Sequence, residues 1–265
     1  MAELYDVIIV GASQAGISAY NYLHKNSNLK ILVVSSNFQN TSVHGSIFKI
    51  DRLQHKVIYA EYRYGITTLI LDDNSRVCGK YIIIATGTKP KKLNLENSAD
   101  IYYKLKDIKL RSKDAPIIVV GSNEMTANFA LALADKYNHI YVCCPDQRLH
   151  CGKELGLQVY WSKNIAFLPL CEIKSCKVSK AGKLSEVELS TYEKIKCKAI
   201  LVSADRIPDE TGFPATVVPT DAEGYVIVNH KGQTKLIPSI YAIGECVKNA
   251  NSEIEVARNI INEIK

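Results

Sequence analysis

Two glycines near the start of the sequence, Gly11 and Gly16, have the spacing of a turn that holds a phosphate group. They follow an apolar segment, Tyr5 to Val10, and precede a helix-compatible stretch that runs to about Asn26. In such a strand, turn and helix, the glycines permit a tight turn and close packing, and the first amides of the helix bind a pyrophosphate. The pattern predicts a dinucleotide site. Its residues are Gly11, Ser13, Gln14, Ala15 and Gly16.

Two positions depart from the dinucleotide pattern. Ser13 replaces the middle glycine and puts a small side chain near the path of a pyrophosphate. The second strand, Lys30 to Val34, is followed by Ser35 and Ser36, where the pattern usually has the acidic residue that binds the ribose. The Ser35 hydroxyl can hold one ribose oxygen, but without a charge. A Rossmann-like fold that carries no nucleotide is therefore the alternative interpretation.

A second copy of strand, turn and helix begins at Ala115, so the architecture contains a repeat. Only Gly121 survives of the motif glycines, and Asn123 takes the place of the middle one. Asp146 follows the next strand, where it could accept a hydrogen bond from the ribose of NAD but would repel the 2′-phosphate of NADP. A second nucleotide site is therefore predicted at Gly121, Asn123 and Asp146. Because this copy keeps so little of the motif, the sequence does not decide whether it binds NAD(P)H.

Composition excludes several classes of protein. At 265 residues and 47% hydrophobic content, the chain is expected to fold into one or two domains instead of staying disordered. The net charge of +6 is not gathered into a basic run, so we expect no nucleic-acid partner, although an acidic protein partner fits. The first apolar segment stops at Gly11, which is too short for a signal peptide or a membrane span. We therefore expect a cytoplasmic protein.

The eight cysteines show no C-x-x-C motif and no zinc-ligand spacing, so no metal site is expected. In a cytosolic chain they should be mostly reduced. The closest pairs are the vicinal Cys143 and Cys144, Cys144 with Cys151, and Cys171 with Cys176. The simpler interpretation is that all of them are buried cysteines with a structural role.

Four segments together resemble the thioredoxin reductase-like branch of the pyridine nucleotide-disulfide oxidoreductases, which are flavoproteins with two dinucleotide-binding domains. The segments are DVIIVGASQAG (6–16), IIIATGTKP (82–90), ILVSADRIPDETGF (200–213) and QTKLIPSIYAIGEC (233–246). The resemblance implies an α/β fold of two three-layer Rossmann-like domains, the second inserted into the first. We expect an FAD-binding-type domain at 1–113 and 214–265 and an NAD(P)-binding-type domain at 114–213.

The same resemblance implies which residues hold FAD. Beyond the Gly11 turn and Ser35, they are Ala85, Thr86 and Gly87 near the flavin, and Gly244 and Glu245 at the ribityl chain. Glu245 departs from the aspartate of the family but keeps its charge. His44 lies in the loop expected at the flavin edge and is a candidate proton donor, although a solvated loop histidine is the simpler interpretation.

Other departures from the family pattern bear on function. The stretch 97–114 has no cysteine where thioredoxin reductases carry their C-x-x-C, and the second domain lacks the expected NADPH-binding arginines. Only fifty residues separate Ser35 from Ala85, which leaves little chain to cover a flavin.

Three functions remain open. The first is an FAD-dependent oxidoreductase that takes electrons from ferredoxin or flavodoxin and passes them to a thioredoxin-like acceptor, with Cys144 and Cys151, or Cys143 and Cys151, as a relay. The second is an NAD(P)H-dependent flavin oxidoreductase. The third is a non-catalytic scaffold or regulatory protein. The resemblance also allows a homodimer.

Overall fold

The computed structural model describes residues 3–38, 51–93, 95, 100–203, 206–209 and 211–264. In chain order its strands are β1 (Leu4–Val10), β2 (Ile31–Val34), β3 (Arg52–Leu53), β4 (Val57–Arg63), β5 (Ile66–Leu71), β6 (Arg76–Ile84), β7 (Thr88–Pro90), β8 (Ile101–Tyr102), β9 (Ile117–Val120), β10 (Ile140–Cys143), β11 (Ile165–Leu168), β12 (Ile173–Val178), β13 (Leu184–Leu189), β14 (Lys194–Lys196), β15 (Ala199–Val202), β16 (Arg206–Pro208) and β17 (Ile240–Ala242). The α-helices are α1 (Gln14–Asn26), α2 (Glu124–Ala134), α3 (Lys153–Trp161) and α4 (Glu253–Ile264).

The chain divides into two compact units, with the second inserted into the first along the sequence. The first unit comprises Met1–Lys89 and Ile207–Lys265, and the second comprises Pro90–Arg206. The chain passes from one unit to the other after Lys89 and again after Arg206, earlier than the boundaries expected after residues 113 and 213. The first boundary shifts because β8 pairs in parallel with β15 and so belongs to the second unit. The second shifts because Gly212 packs on the first unit: a Cβ there would lie 2.2 Å from the carbonyl oxygen of Val57.

The first unit contains a seven-stranded sheet among its described residues. Its order is β3-β2-β1-β6-β5-β4, with β17 also paired to β6. The strands β3, β2, β1, β6 and β17 run parallel to one another, whereas β5 is antiparallel to both β6 and β4. The glycine turn after β1 therefore opens at the carboxyl edge of a parallel sheet, where ligands bind in folds of this kind.

Alternate side chains of β1 enter two separate cores because strand side chains point to opposite faces. Val7 and Ile9 pack under α1 and α4. Ile8 and Val10 belong to the core on the other face, which is closed by the segments around Val217 and Val226. The central sheet is thus covered on both faces, as the three-layer prediction requires.

The second unit repeats this arrangement on a fully parallel sheet of order β11-β10-β9-β15-β8. One face packs under α2 and α3, and the other packs against the antiparallel sheet β12-β13-β14. Vicinal residues at the end of β10 enter opposite cores: Cys144 faces the helices and Cys143 faces the antiparallel sheet.

Two segments adopt a structure that their local sequence does not indicate. The segment Gly224 to Asn229 reads as a strand, but it makes only isolated bridges, such as Val228 to Thr234. The helix α3 forms although Gly156 lowers helix propensity in its interior, and Gly152 precedes it as the N-cap residue. Within the described chain, no helix combines the length and apolar character needed to cross a bilayer.

Candidate functional site

The first glycine turn joins β1, α1 and the end of β6 at distances that admit only glycine. Gly11 has φ +112°, and a Cβ there would lie 2.3 Å from the carbonyl oxygen of Ala85. A Cβ on Gly16 would lie 2.3 Å from the carbonyl oxygen of Gly11. Because real Cβ contacts are not this short, the two glycines fix the approach of the helix to the sheet edge.

Ser13, in place of the middle glycine, is the N-cap of α1. Its hydroxyl accepts from the Gly16 amide at 3.3 Å and donates to the carbonyl oxygen of Ala85 at 2.9 Å. The side chain therefore lies along the sheet edge. No acceptor among the described residues takes the amides of Gln14 and Ala15, so the first turn of α1 keeps two donors for an anion.

Ser35 lies beside Gly11, but its hydroxyl is engaged in a local turn. It donates to the carbonyl oxygen of Asn37 at 3.0 Å and accepts from the Asn37 amide at 3.3 Å. Ser35 and Gly11 line a cavity of about 70 Å³ that also reaches Thr86 and His55. This is small beside the roughly 300–1,000 Å³ of typical ligand sites.

The residues predicted near a flavin lie along the same edge. The Thr86 hydroxyl is buried and has no well-formed hydrogen bond to a described oxygen or nitrogen, although it lies near enough to the Cys246 thiol to lower the pKa of that group. Gly87 has φ +69°, and the space around its Cα is open. Glu245 accepts a hydrogen bond from the Thr88 hydroxyl.

Gly244 connects this edge to α1. It has φ +71°, and a Cβ there would lie 2.8 Å from the Cβ of Ala15. The next residue but one, Cys246, is fully buried and donates to the carbonyl oxygen of Ile243 at 3.1 Å. Burial raises the pKa of its thiol, so Cys246 packs as a small apolar residue.

The second glycine turn has the same construction. Gly121 has φ +143°, and a Cβ there would lie 2.4 Å from the carbonyl oxygen of Ser203, just beyond β15. Asn123 caps α2 by accepting from the Thr126 amide at 3.0 Å, and it accepts from the Ser203 hydroxyl at 2.9 Å. Like Ser13, Asn123 ties its helix to the end of the neighbouring strand.

The turn opens into a cleft of about 380 Å³ in the second unit. Cys171 lines it, and the polar lining comprises Lys91, Lys92, Ser122, Asn123, Glu172 and Ser203. Asp146 stands close by, since the Ser122 hydroxyl and His150, whose Nε2 lies 3.0 Å from Asp146 Oδ2, hold the pKa of the Asp146 carboxyl below its usual range. A carboxylate that stays charged therefore borders a cleft containing two lysines.

Replacing Asn123 by alanine should lower the free energy of unfolding by about 1–2 kcal/mol, because the helix loses its N-cap and the Ser203 hydroxyl loses its acceptor. Chemical denaturation measures the change. Asn128→Ala is the matched control on the exposed face of α2 and should change stability by less than about 0.5 kcal/mol. Equal effects of the two substitutions would contradict the capping role.

The remaining candidate residues are not brought together in the part of the chain that the structure describes. The Cys144 thiol donates weakly to the carbonyl oxygen of Arg148 at 3.7 Å, and no sulfur contact joins it to Cys151 within the described chain. Cys143 instead contacts Cys171. His44 lies outside the described residues.

Sequence reasoning missed the capping role of Ser13 and Asn123 and the contact of Cys143 with Cys171. The caps had a readable signal, because serine and asparagine are favoured N-cap residues. The thiol contact had none, since 28 residues separate the two cysteines along the chain.

Fold and site define a protein of two Rossmann-like units, the second inserted into the first, each with a glycine turn at the carboxyl edge of a parallel sheet. A sequence profile described as pyridine nucleotide-disulphide oxidoreductase matches residues 37–262. The chain belongs to that family.

Within the family, the chain is similar to thioredoxin reductases. It is 22% identical to the thioredoxin reductase of Bacillus subtilis, over 96% of this chain and 90% of that protein. It is 24% identical to the thioredoxin reductase of Aquifex aeolicus, over 96% and 89% of the two chains. The crystal structure of Lactococcus lactis thioredoxin reductase superposes with a TM-score of 0.82 at 18% identity, covering 97% of this chain and 98% of that one. The last likeness is one of fold.

Proposed function

We propose that this chain is an FAD-dependent oxidoreductase that accepts electrons from a pyridine nucleotide, with NADH preferred over NADPH. The observation that carries the proposal is the Gly11 turn. There Gly11 and Gly16 allow the close approach of α1, and the amides of Gln14 and Ala15 have no acceptor among the described residues. The family membership and the named relatives support an oxidoreductase assignment.

The residues of the first unit fit FAD at three places. The amides of Gln14 and Ala15 would bind the pyrophosphate, because helix N-termini favour anions. The buried Thr86 hydroxyl and the open space at Gly87 would receive the flavin end. Glu245, which accepts from the Thr88 hydroxyl, would also accept from a ribityl hydroxyl, since a carboxylate has two acceptor oxygens. FAD, when bound, supplies a ring that stores two electrons.

The cavity at this turn would enclose only part of an FAD molecule, since it measures about 70 Å³. Ser35 can offer the ribose one neutral oxygen at most, and its hydroxyl already serves the Asn37 turn. We therefore expect a loosely held flavin, so that the purified protein is partly free of FAD and recovers its yellow colour when FAD is added.

The second cleft has the size of a nucleotide site, and its two lysines outnumber the one lining carboxylate, Glu172. Its volume of about 380 Å³ lies in the range of small-molecule sites, and Lys91 and Lys92 offer two cations to phosphate groups. The Asp146 carboxylate suits the two free hydroxyls of the NADH ribose, and it would repel the 2′-phosphate of NADPH.

Anaerobic titration of the FAD-saturated protein with NADH and with NADPH tests this proposal. We expect NADH to bleach the flavin at lower concentration than NADPH. Asp146→Ala should bring the concentrations of NADH and NADPH that bleach the flavin closer together. Arg148→Ala is the control in the same loop and should leave the preference for NADH in place. Bleaching by reduced ferredoxin or flavodoxin, but by neither nucleotide, would replace the proposed donor with an acidic protein.

A protein that stays colourless in excess FAD would overturn the enzymatic proposal and favour the non-catalytic scaffold. The thioredoxin-like acceptor also stays a prediction, and its test is reoxidation of the reduced flavin by oxidised thioredoxin. The homodimer and the cytoplasmic location are likewise expectations, to be checked by the mass in solution and by cell fractionation.

A further inference from the structure

Two thiols meet in the core of the second unit, where neither the glycine turn nor any familiar motif requires them. Cys143 ends β10, and Cys171 follows β11, the next strand of the sheet. Their sulfur atoms lie 2.8 Å apart. That separation is inside ordinary non-bonded contact, about 3.5–4.0 Å between heavy atoms, and beyond the roughly 2.05 Å of a disulfide bond.

The backbone holds the two thiols in this position. The Cys171 amide donates to the carbonyl oxygen of Cys144 at 2.9 Å, and the Cys144 amide donates to that of Leu168 at 3.0 Å. The Cys143 thiol also lies 3.2 Å from the carbonyl oxygen of Cys171. Because both segments are anchored within a residue of the cysteines, a bond between the sulfurs needs little movement of the chain.

The two cysteines differ in access. Cys171 lines the cleft of about 380 Å³ although only 2% of it is exposed, whereas Cys143, in contact with it, is fully buried. Burial raises the pKa of both thiols, but the hydrogen bond from Cys143 lowers that of Cys171. Cys171 is therefore the thiol that a small reagent in the cleft meets first, and Cys143 is the one placed to react with it afterwards.

We propose that Cys143 and Cys171 are a reversible dithiol pair that is oxidised to a disulfide by a low-molecular-weight disulfide entering this cleft. The Cys171 thiolate attacks one sulfur of that disulfide, which breaks the reagent's S–S bond and releases one thiol. Cys143 then attacks the Cys171 sulfur of the mixed disulfide and releases the second thiol. Two protein thiols are oxidised, the reagent disulfide is reduced, and the two thiol protons leave with the products.

Alkylation of the full chain under denaturing conditions, before and after incubation with oxidised glutathione, tests the pair. We expect all eight cysteines to be alkylated before oxidation and six after it, with full recovery on treatment with dithiothreitol. Tryptic mapping should find one linked species that joins the peptides of Cys143 and Cys171. This readout needs no flavin and no activity, so it is independent of the proposed function.

Single substitutions assign the partners. Cys171→Ser should abolish the protection, so that all seven remaining cysteines are alkylated after oxidation. Cys143→Ser should instead trap the mixed disulfide of Cys171 with glutathione, so that six of its seven cysteines are alkylated and no linked peptides form. Cys144→Ser is the matched control, because its side chain enters the opposite core although it shares a tryptic peptide with Cys143. It should leave the two-thiol protection intact. Alkylation of all eight cysteines after oxidation of the wild-type chain, or a linked species containing other cysteines, would overturn the proposal.

Discussion

Replacing Gly11 by alanine should abolish FAD binding and lower the free energy of unfolding by about 3 kcal/mol or more. The left-handed backbone at φ +112° costs an alanine roughly 1–3 kcal/mol, and forcing a methyl group to within 2.3 Å of the Ala85 carbonyl oxygen adds a similar overpacking cost. Relief of the clash must separate β1 from the end of β6, which displaces the Gln14 and Ala15 amides. FAD titration followed by fluorescence, together with chemical denaturation, measures both losses.

Gly65→Ala is the matched control for the backbone cost alone. Gly65 lies in the turn between β4 and β5 with φ +78°, and a Cβ there would meet no heavy atom within 4 Å. It should cost about 1–2 kcal/mol and leave FAD binding unchanged. A Gly11→Ala protein that binds FAD as tightly as the Gly65→Ala protein would refute the assignment of the first turn.

The parts of the fold that follow local rules could be predicted from the sequence. The strand before Gly11 is a continuous apolar run, and its alternate side chains do fill two cores. The repeated strand, turn and helix predicted a second Rossmann-like domain, and the resemblance of four segments to a known family implied that it is inserted in the first. The strand and the repeat depend on neighbouring residues or on a recurring pattern, so the sequence alone can show them.

The boundaries between units and the thiol pair could not be predicted, because they depend on contacts between distant residues. The short strand β8 belongs to the second unit only because Ile101 finds Ile200 beside it. Cys143 and Cys144 are neighbours in sequence, and only the direction of β10 decides which of them faces Cys171. The expected relay through Cys144 rested on spacing, which carries no information about the face of a strand.

Ser13 and Asn123 show how a departure from a motif can be understood once the structure is available. Each replaces the glycine that would bring a backbone closest to a pyrophosphate, which suggested a weakened site. Each side chain in fact turns along the sheet edge, to Ala85 or to Ser203, and caps the third amide of its helix. Within the described part of the chain the first two amides have no acceptor, so the substitution stabilises the turn and leaves those amides available to an anion.

Replacing Gly121 by alanine should remove reduction by NADH while leaving FAD bound. At φ +143°, the added Cβ would lie 2.4 Å from the Ser203 carbonyl oxygen and 2.5 Å from the Thr126 hydroxyl. We expect the free energy of unfolding of the second unit to fall by about 3 kcal/mol or more, because the alanine again meets both a left-handed backbone and an overpacked contact. The first unit has its own sheet and cores, so its flavin site should survive. FAD fluorescence and anaerobic bleaching by NADH measure the two effects separately.

Gly182→Ala supplies the control in the same unit, since Gly182 has φ +70° in the turn between β12 and β13 and open space around it. It should cost about 1–2 kcal/mol and keep NADH reduction. The paired substitutions at Gly11 and Gly121 therefore separate the two sites: the first should lose the flavin, and the second should lose only the response of the flavin to the nucleotide. Loss of FAD from both variants would mean that the units do not fold independently, and NADH reduction that survives Gly121→Ala would exclude the second cleft as the donor site.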